Sequence, residues 1–458
     1  MVKAVRACVA AGAILVAALS GGPAVAVRPP QVAQTAPPSD SVPAGTAEQR
    51  TKCAVPIATS RTTSATRAVH AQLEVDRLHR ISTGRGQRVA VIDTGVSPHP
   101  RLPAVLDGGD FVTGGSGRTD CDAHGTLVAG LIAARPSATD DFTGLAPDVS
   151  LISIRQSSAA FAPRQRSGDQ EEQPVVGGGY GTVAGLAAAV MRAVRLGATV
   201  VNISEVACAP AAAASALHDG ELGVALRHAV DRDVVVVVAA GNVSSDGGCR
   251  EQNPPAAARQ QWSAVRTVAT PAWFSDYVLT VGAVDSLDGK PSGFSLGGPW
   301  VSVAAPGTDL TSLDPRPGQS GLVSGLSGAQ GAVPVSGTSF AAAYVTATVA
   351  LVRSRFPDLD ARAVMRRITA TAIGRGTAPD ARTGCGVVDP LAALTVTGVA
   401  DDSPSSIRFR PAPPAPDPDL TPRIAAIGGA FGLAVLLGAV IAFRKPRHRM
   451  VAMPDDGL

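Results

Sequence analysis

Apolar positions along this chain fall into two kinds of run. Short blocks that are apolar at nearly every position (RVAVID from Arg88, VSLISIR from Val149, TVVNIS from Thr199, DVVVVVAA from Asp233 and YVLTVGAV from Tyr277) predict strands buried on both faces, as in a parallel sheet. Helical stretches alternate with them at His124 to Ala134, about Thr182 to Leu196 and about Gly220 to Arg232. This alternation predicts an α/β fold: a doubly wound parallel sheet with helices on both faces. A further helix opens in the small-residue run PVSGTSFAAAYV, from Pro334, and extends to about Phe356. In such a sheet the C-terminal strand ends gather in one crevice, where function sits. Asp93 and Asn242 both lie at or just past such ends.

The polar and the uninterrupted apolar stretches divide the rest of the chain. Arg28 to about Arg50, rich in Pro, Ala, Ser, Gln and Thr, is expected to be extended or poorly ordered. The insertion from Gln156 to Tyr180, with RQRSGDQEEQ, is long for a compact domain and reads as either functional or disordered. Asp401 to Arg423 is proline-dense and predicts a semi-rigid spacer. Ile424 to Phe443 carries no charge over 20 residues, which as a helix is about 30 Å and predicts one transmembrane helix. Arg444, Lys445, Arg447 and Arg449 follow it at once, whereas only Arg423 lies immediately before it. The positive-inside rule then leaves the C-terminus cytoplasmic and everything before Ile424 outside, in a single-pass topology.

At the other end, Lys3 and Arg6, the apolar run Ala7 to Leu19 and the site Ala24-Val25-Ala26 have the three parts of a cleaved export signal. The alternative is an uncleaved anchor, for which the run is short. The predicted division is thus a signal peptide at 1–26, an N-terminal extension at 27–85, the folded domain at 86–398, a linker at 399–423, the membrane helix at 424–443 and a tail at 444–458.

Composition narrows the function. With 45% hydrophobic and 17% charged residues in 458 positions, the chain buries a large core. A net charge of +3 implies no nucleic-acid partner. No Zn-type Cys/His spacing and no Walker loop is present, so no metal and no cofactor is expected. Six cysteines fit an oxidising compartment. Loss of Cys8 with the signal leaves Cys53, Cys121, Cys208, Cys249 and Cys385, an odd number that cannot all pair internally.

The candidate chemistry starts at Ser339. Thr338 or Ser339 could simply cap the helix that begins there. The sharper reading is a nucleophile at a helix N-terminus, where the dipole and free N–H groups favour developing negative charge. Such a serine needs a base and a group to orient that base. Asp93 in VAVIDTGV and His124 in DAHGTLVAG supply them, in the chain order Asp, His, Ser.

VIDTGV, HGTLVAG and SGTSFAAAYV together resemble the three signature blocks of subtilisin-like serine proteases, across about Gly86 to Leu394. More narrowly, the signal peptide, the cysteine-bearing extension, VVNISEVAC, AAGN followed by a cysteine, the Pro-rich spacer and the C-terminal membrane helix resemble the mycosins. These are membrane-anchored subtilases of actinobacterial type VII secretion systems. The resemblance implies a subtilisin-like sheet, with Ser339 as acyl-forming nucleophile, His124 as base and then acid, and Asp93 fixing the imidazole tautomer. It implies an oxyanion hole made by the Asn242 side chain and the Ser339 N–H. It also implies that Ser204, Glu205, Val206, Ala239, Ala240 and Gly241 line the cleft, their backbones pairing an extended peptide substrate.

Two departures from the family pattern stand out. Val206, after Glu205, occupies a position that is usually glycine, which predicts a narrower or acidic primary pocket. Ala343 replaces the signature proline of the nucleophile block, a harmless change in a helix. No calcium-site spacing is recognisable. Cys208 and Cys249 each follow a strand end at the crevice rim and are expected to pair. Mycosins suggest a Cys53–Cys121 bridge that retains the extension beside His124 rather than releasing it as an inhibitory pro-segment. Cys385 is then the free thiol, although sequence also allows it to pair with Cys53 or Cys121. The expected function is a membrane-anchored extracytoplasmic serine endopeptidase that processes a secreted substrate near a type VII membrane complex. The alternatives are a mainly structural component of that complex and a general extracellular subtilase.

Overall fold

Strands that are apolar at consecutive positions send alternate side chains to opposite faces, so each such strand needs a core on both sides. The computed structural model, which describes residues 27–42, 47–163, 179–245, 248–254, 262–374 and 380–397, has that arrangement. Seven parallel strands form its central sheet: β1 (Arg88–Asp93), β2 (Val105–Asp110), β3 (Ser150–Arg155), β4 (Val200–Ile203), β5 (Val235–Ala239), β6 (Leu279–Val284) and β7 (Val301–Pro306). Their spatial order is β7-β6-β5-β4-β1-β3-β2. The chain therefore winds to one side from β1 and to the other from β4, and the switch point lies between these two neighbours.

The alternation sorts the core into two halves. Val89 and Val91 of β1, with Val235, Val237 and Ala239 of β5, face a cluster built on α1 (His124–Ala133) and the long helix 338–355. Ala90, Ile92, Val236 and Val238 face the opposite cluster, built on α2 (Val183–Arg195) and α3 (Gly220–Asp231). Helix α4 (Thr338–Arg355) is buried at every position from Thr338 to Arg353, so it runs through the core rather than over it. Ala343 is fully buried within it.

The expected strands and helices are present within a residue or two, and sequence reasoning missed both sheet edges. VLDGGD of β2 reads as a loop, being polar and glycine-rich, and it pairs only with β3. VSVAAP of β7 closes the other edge against β6.

The N-terminal extension is more ordered than its composition suggests. Residues 27–42 have no regular structure, yet Arg227 of α3 donates to the Ala33 and Thr35 carbonyls, Asp40 pairs with Arg195 of α2, and Val42 meets Gly109 of β2. Ala47–Gln49 pairs antiparallel with Phe161–Pro163, inside the insertion that begins at Gln156. Pro56–Thr59 joins Leu322–Gly328 of a small antiparallel sheet that also holds Ser312–Leu313 and Gly331–Pro334. Two short helices follow, Ser64–Gln72 and Val75–Ile81. Thr63 caps the first of them, and its hydroxyl also donates to the Asp309 carbonyl. The chain divides after Val399. The expected signal peptide (1–26), linker and transmembrane helix (Ile424–Phe443) all lie outside the described residues. Among the described residues no helix is long and apolar enough to cross a membrane.

Candidate active site

Four elements meet at the switch point. Asp93 is the last residue of β1, Ser204 follows directly on β4, and His124 and Ser339 open α1 and α4. Asp93 is fully buried, and one carboxylate oxygen accepts from the Thr94 N–H at 2.7 Å and contacts His124 Nδ1 at 2.7 Å. Glycine is required at position 125, because a Cβ there would sit 2.0 Å from the Gly95 carbonyl oxygen and 3.1 Å from Asp93 Cβ. Helix and strand could not otherwise approach closely enough for that contact.

Asp120 anchors the start of α1. One of its oxygens accepts from the Thr126 N–H and hydroxyl, and the other from the Thr94 hydroxyl and the Asp122 N–H. Burial pushes the Asp120 carboxyl up to about 7, against those hydrogen bonds. Burial opposes the charged form of His124 too. Asp93, its hydrogen bond, Glu205 and Asp120 outweigh burial there, and the imidazole is raised to about 9. Its ring remains 26% exposed and lies 5.1 Å, centroid to centroid, from Phe340.

Ser339 is 5% exposed, and its hydroxyl donates to the Ser204 carbonyl at 3.1 Å. The strand holding that carbonyl is tied to α4 by a second link that sequence reasoning overlooked. Thr346 donates to Asn202 Oδ1, and Asn202 Nδ2 donates to the Ser204 hydroxyl, both at 2.8 Å. The only visible signal was an Asn within a strand otherwise made of apolar residues.

Asn242 is held by Thr338, another residue the sequence showed only as a potential cap. Its Oδ1 accepts from the Thr338 N–H and from the Thr338 hydroxyl, each at 3.0 Å. Because a backbone N–H can only donate, the amide cannot be flipped, and Nδ2 is left facing the crevice beside Gly337. A Cβ on Gly337 would lie 3.3 Å from that nitrogen.

The two cleft-lining segments differ. The Ala240 N–H is bonded to the Val281 carbonyl and the Gly241 N–H to the Thr338 hydroxyl, so these donors are unavailable to an extended peptide. Ala239 to Gly241 thus stand as a wall beside Val206, with the N–H groups of Ala240 and Gly241 already bonded. Val206 stands against that wall, its Cγ2 3.3 Å from where a Gly241 Cβ would be, which narrows the space between the segments. Glu205 is half-buried. Burial and the Asp93 carboxylate raise its carboxyl to about 7, while His124 opposes.

Among the described residues two disulfides are present, Cys53–Cys121 and Cys208–Cys249, with Cα separations of 4.6 and 5.1 Å. The first ties the extension to the segment three residues before His124. Cys385 is free and partly buried, and burial pushes its thiol up.

Comparison with known proteins places these features in context. The model of the Subtilase family matches residues 84–387. Mycosin-1 of Mycolicibacterium smegmatis is 42% identical over 450 residues, covering 95% of this chain and 98% of that protein. Mycosin-4 of Mycobacterium tuberculosis is 44% identical over 443 residues, covering 94% and 93%. Among solved structures, MycP1 from Mycobacterium smegmatis superposes with a TM-score of 0.73 at 42% identity, covering 81% of this chain and 96% of that one. A chain in the intact ESX-5 inner membrane complex superposes at 0.73 with 38% identity, covering 91% and 99%.

Proposed function

This chain belongs to the subtilase family, as a serine protease of its mycosin group, and from that premise we propose how its residues divide the chemistry. The observation that carries the reading is the 2.7 Å contact between His124 Nδ1 and Asp93, with Ser339 in the same crevice. Ser339 Oγ turns from the Ser204 carbonyl and attacks the scissile carbonyl carbon. His124 Nε2 takes the hydroxyl proton while buried Asp93 holds Nδ1–H and stabilises the imidazolium. The tetrahedral oxyanion accepts from Asn242 Nδ2 and from the Ser339 N–H at the positive end of α4. The C–N bond then breaks, and the imidazolium passes its proton to the leaving amine. Water hydrolyses the acyl-enzyme by the same route in reverse. The contact between Val206 and the wall supports a small side chain at the scissile residue.

The substrate is an extracytoplasmic peptide or protein. Residues 424–443 anchor the enzyme as a single membrane span, with the tail at 444–458 in the cytoplasm. The relatives solved within ESX-5 inner membrane assemblies support a place in a type VII secretion complex for this chain too. They also favour a second, scaffolding role alongside proteolysis. The extension is retained, in keeping with its disulfide and its pairing to Leu322–Gly328.

One experiment separates these roles. A strain carrying Ser339→Ala is compared with a deletion strain for complex integrity and for exported proteins that accumulate uncleaved. Reaction of Ser339 with a fluorophosphonate tests the chemistry directly, and a wild-type chain that does not react would overturn the assignment.

A further inference from the structure

Three carboxylates act on His124, and two of them belong to the scaffold. Asp93 holds Nδ1, and Asp120 is occupied by Thr94, Thr126 and Asp122. The third is Glu205. One of its carboxylate oxygens, an oxygen of Asp93 and a ring nitrogen of His124 lie within 4.8 Å of one another. Glu205 sits on the cleft-lining segment after β4. Among the described residues no Lys or Arg is paired with it.

We propose that Glu205 determines specificity by receiving the cationic side chain of a substrate Lys or Arg placed immediately before the scissile residue, against His124. The proposal rests on the protease reading above and names the substrate class for it. A carboxylate flanked by Asp93 and Asp122 in a poorly solvated crevice needs either a proton or a cation. His124 in its imidazolium form can supply that cation, since it faces Asp93, Asp120 and Glu205 together. For His124 to act as a base that proton must leave, and Glu205 then loses its counter-charge. A substrate ammonium or guanidinium group restores it, so the peptide that binds Glu205 also frees the imidazole to accept the serine proton. A glutamate at the same substrate position meets three like charges and is rejected.

The test uses the full chain in detergent micelles and two irreversible peptidyl phosphonates of identical sequence, except for Lys or Leu at the residue before the reactive group. Wild type is expected to react about tenfold faster with the Lys compound, a difference of ~1.4 kcal/mol. In Glu205→Gln the ratio should fall to within twofold of unity, and in Glu205→Asp the preference should persist. The acid limb of reaction with a plain fluorophosphonate should also move to lower pH in Glu205→Gln. Equal rates with wild type, or an unchanged ratio in Glu205→Gln, overturn the proposal. Wild type that fails to react even with the plain fluorophosphonate refutes the protease reading instead. A Glu205→Gln chain that still reacts with it is folded, and its ratio decides the matter.

Discussion

The lock on Asn242 gives a quantitative prediction. Replacing Asn242 by Ala removes a donor aimed at the developing oxyanion and should lower kcat by about 10² to 10³, or ~2.7–4 kcal/mol. Thr338→Val keeps the side-chain volume, and the Thr338 N–H still reaches Asn242 Oδ1. It removes the hydroxyl, one of the two donors holding that oxygen, and it leaves the buried Gly241 N–H without a partner. A neutral hydrogen bond is worth about 0.5–1.5 kcal/mol net, so kcat should fall roughly two- to tenfold with KM little changed. The decisive measurement is a double-mutant cycle on a chromogenic peptide. If Thr338 acts by positioning Asn242, Thr338→Val should cost almost nothing in kcat once Asn242 is Ala, giving a coupling of ~1 kcal/mol. Strictly additive losses would refute this, because the hydroxyl would then act on catalysis by a route that does not pass through the amide.

Other expectations are simpler. Ser339→Ala should lower peptide cleavage by on the order of 10⁴ to 10⁶, and residual turnover within tenfold of wild type would reject the triad. Replacing Cys53 and Cys121 by Ser opens a link spanning 68 residues, and in the chain-entropy model this costs about 4 kcal/mol. A denaturant midpoint equal to wild type would contradict it. Tyr344 is 1% exposed and its hydroxyl has no hydrogen-bond partner among the described residues, so Tyr344→Phe should stabilise by about 1 kcal/mol in the same assay. His99 is 7% exposed, and burial followed by Arg101 lowers it from 6.5 to about 4, with Nδ1 accepting the Arg101 N–H. Its folded value lies below the unfolded one, so the native state binds fewer protons. Stability should be full above pH 6.5 and decline as pH falls towards 4, and His99→Gln should flatten that slope in melts run across the range.

The centre of the sheet and the triad were legible because each lies where the pattern changes. Asp93 ends an apolar strand, while His124 and Ser339 open buried helices beside glycines, of which Gly125 leaves no room for a Cβ. Residues that hold those groups in place were not legible. Thr346 reaches Asn202 across 144 positions, and Thr338 reaches Asn242 across 96. Neither threonine departs from what an ordinary helix would contain, and only Asn202, in an otherwise apolar strand, stood out. Edge strand β2 was missed for a different reason: its Val105–Asp107 stretch is largely open to solvent, and so it carries polar residues and glycine where central strands carry valine. In the extension, composition spoke for poor order, and the order comes from partners far along the chain, Phe161–Pro163, Arg195, Arg227 and Leu322–Gly328.

That last pairing has a consequence for how the chain is made. Pro56–Thr59 leaves any machine that delivers the N-terminus first well ahead of its partner, since Thr59 pairs with Leu322. At synthesis rates of about 5–20 residues per second the wait is on the order of 13 to 50 s. During that interval the leading strand has a bare edge and Cys53 an unclaimed thiol, while Cys121, only 68 residues behind, is already within reach. A Cys53–Cys121 bond can therefore close before the small sheet exists, and it then holds the early strand near the half-built crevice until Leu322–Gly328 arrives. The staple thus acts as a placeholder in time as well as a brace in the finished enzyme. Its loss should show most plainly as newly made chains that aggregate before the C-terminal third has emerged.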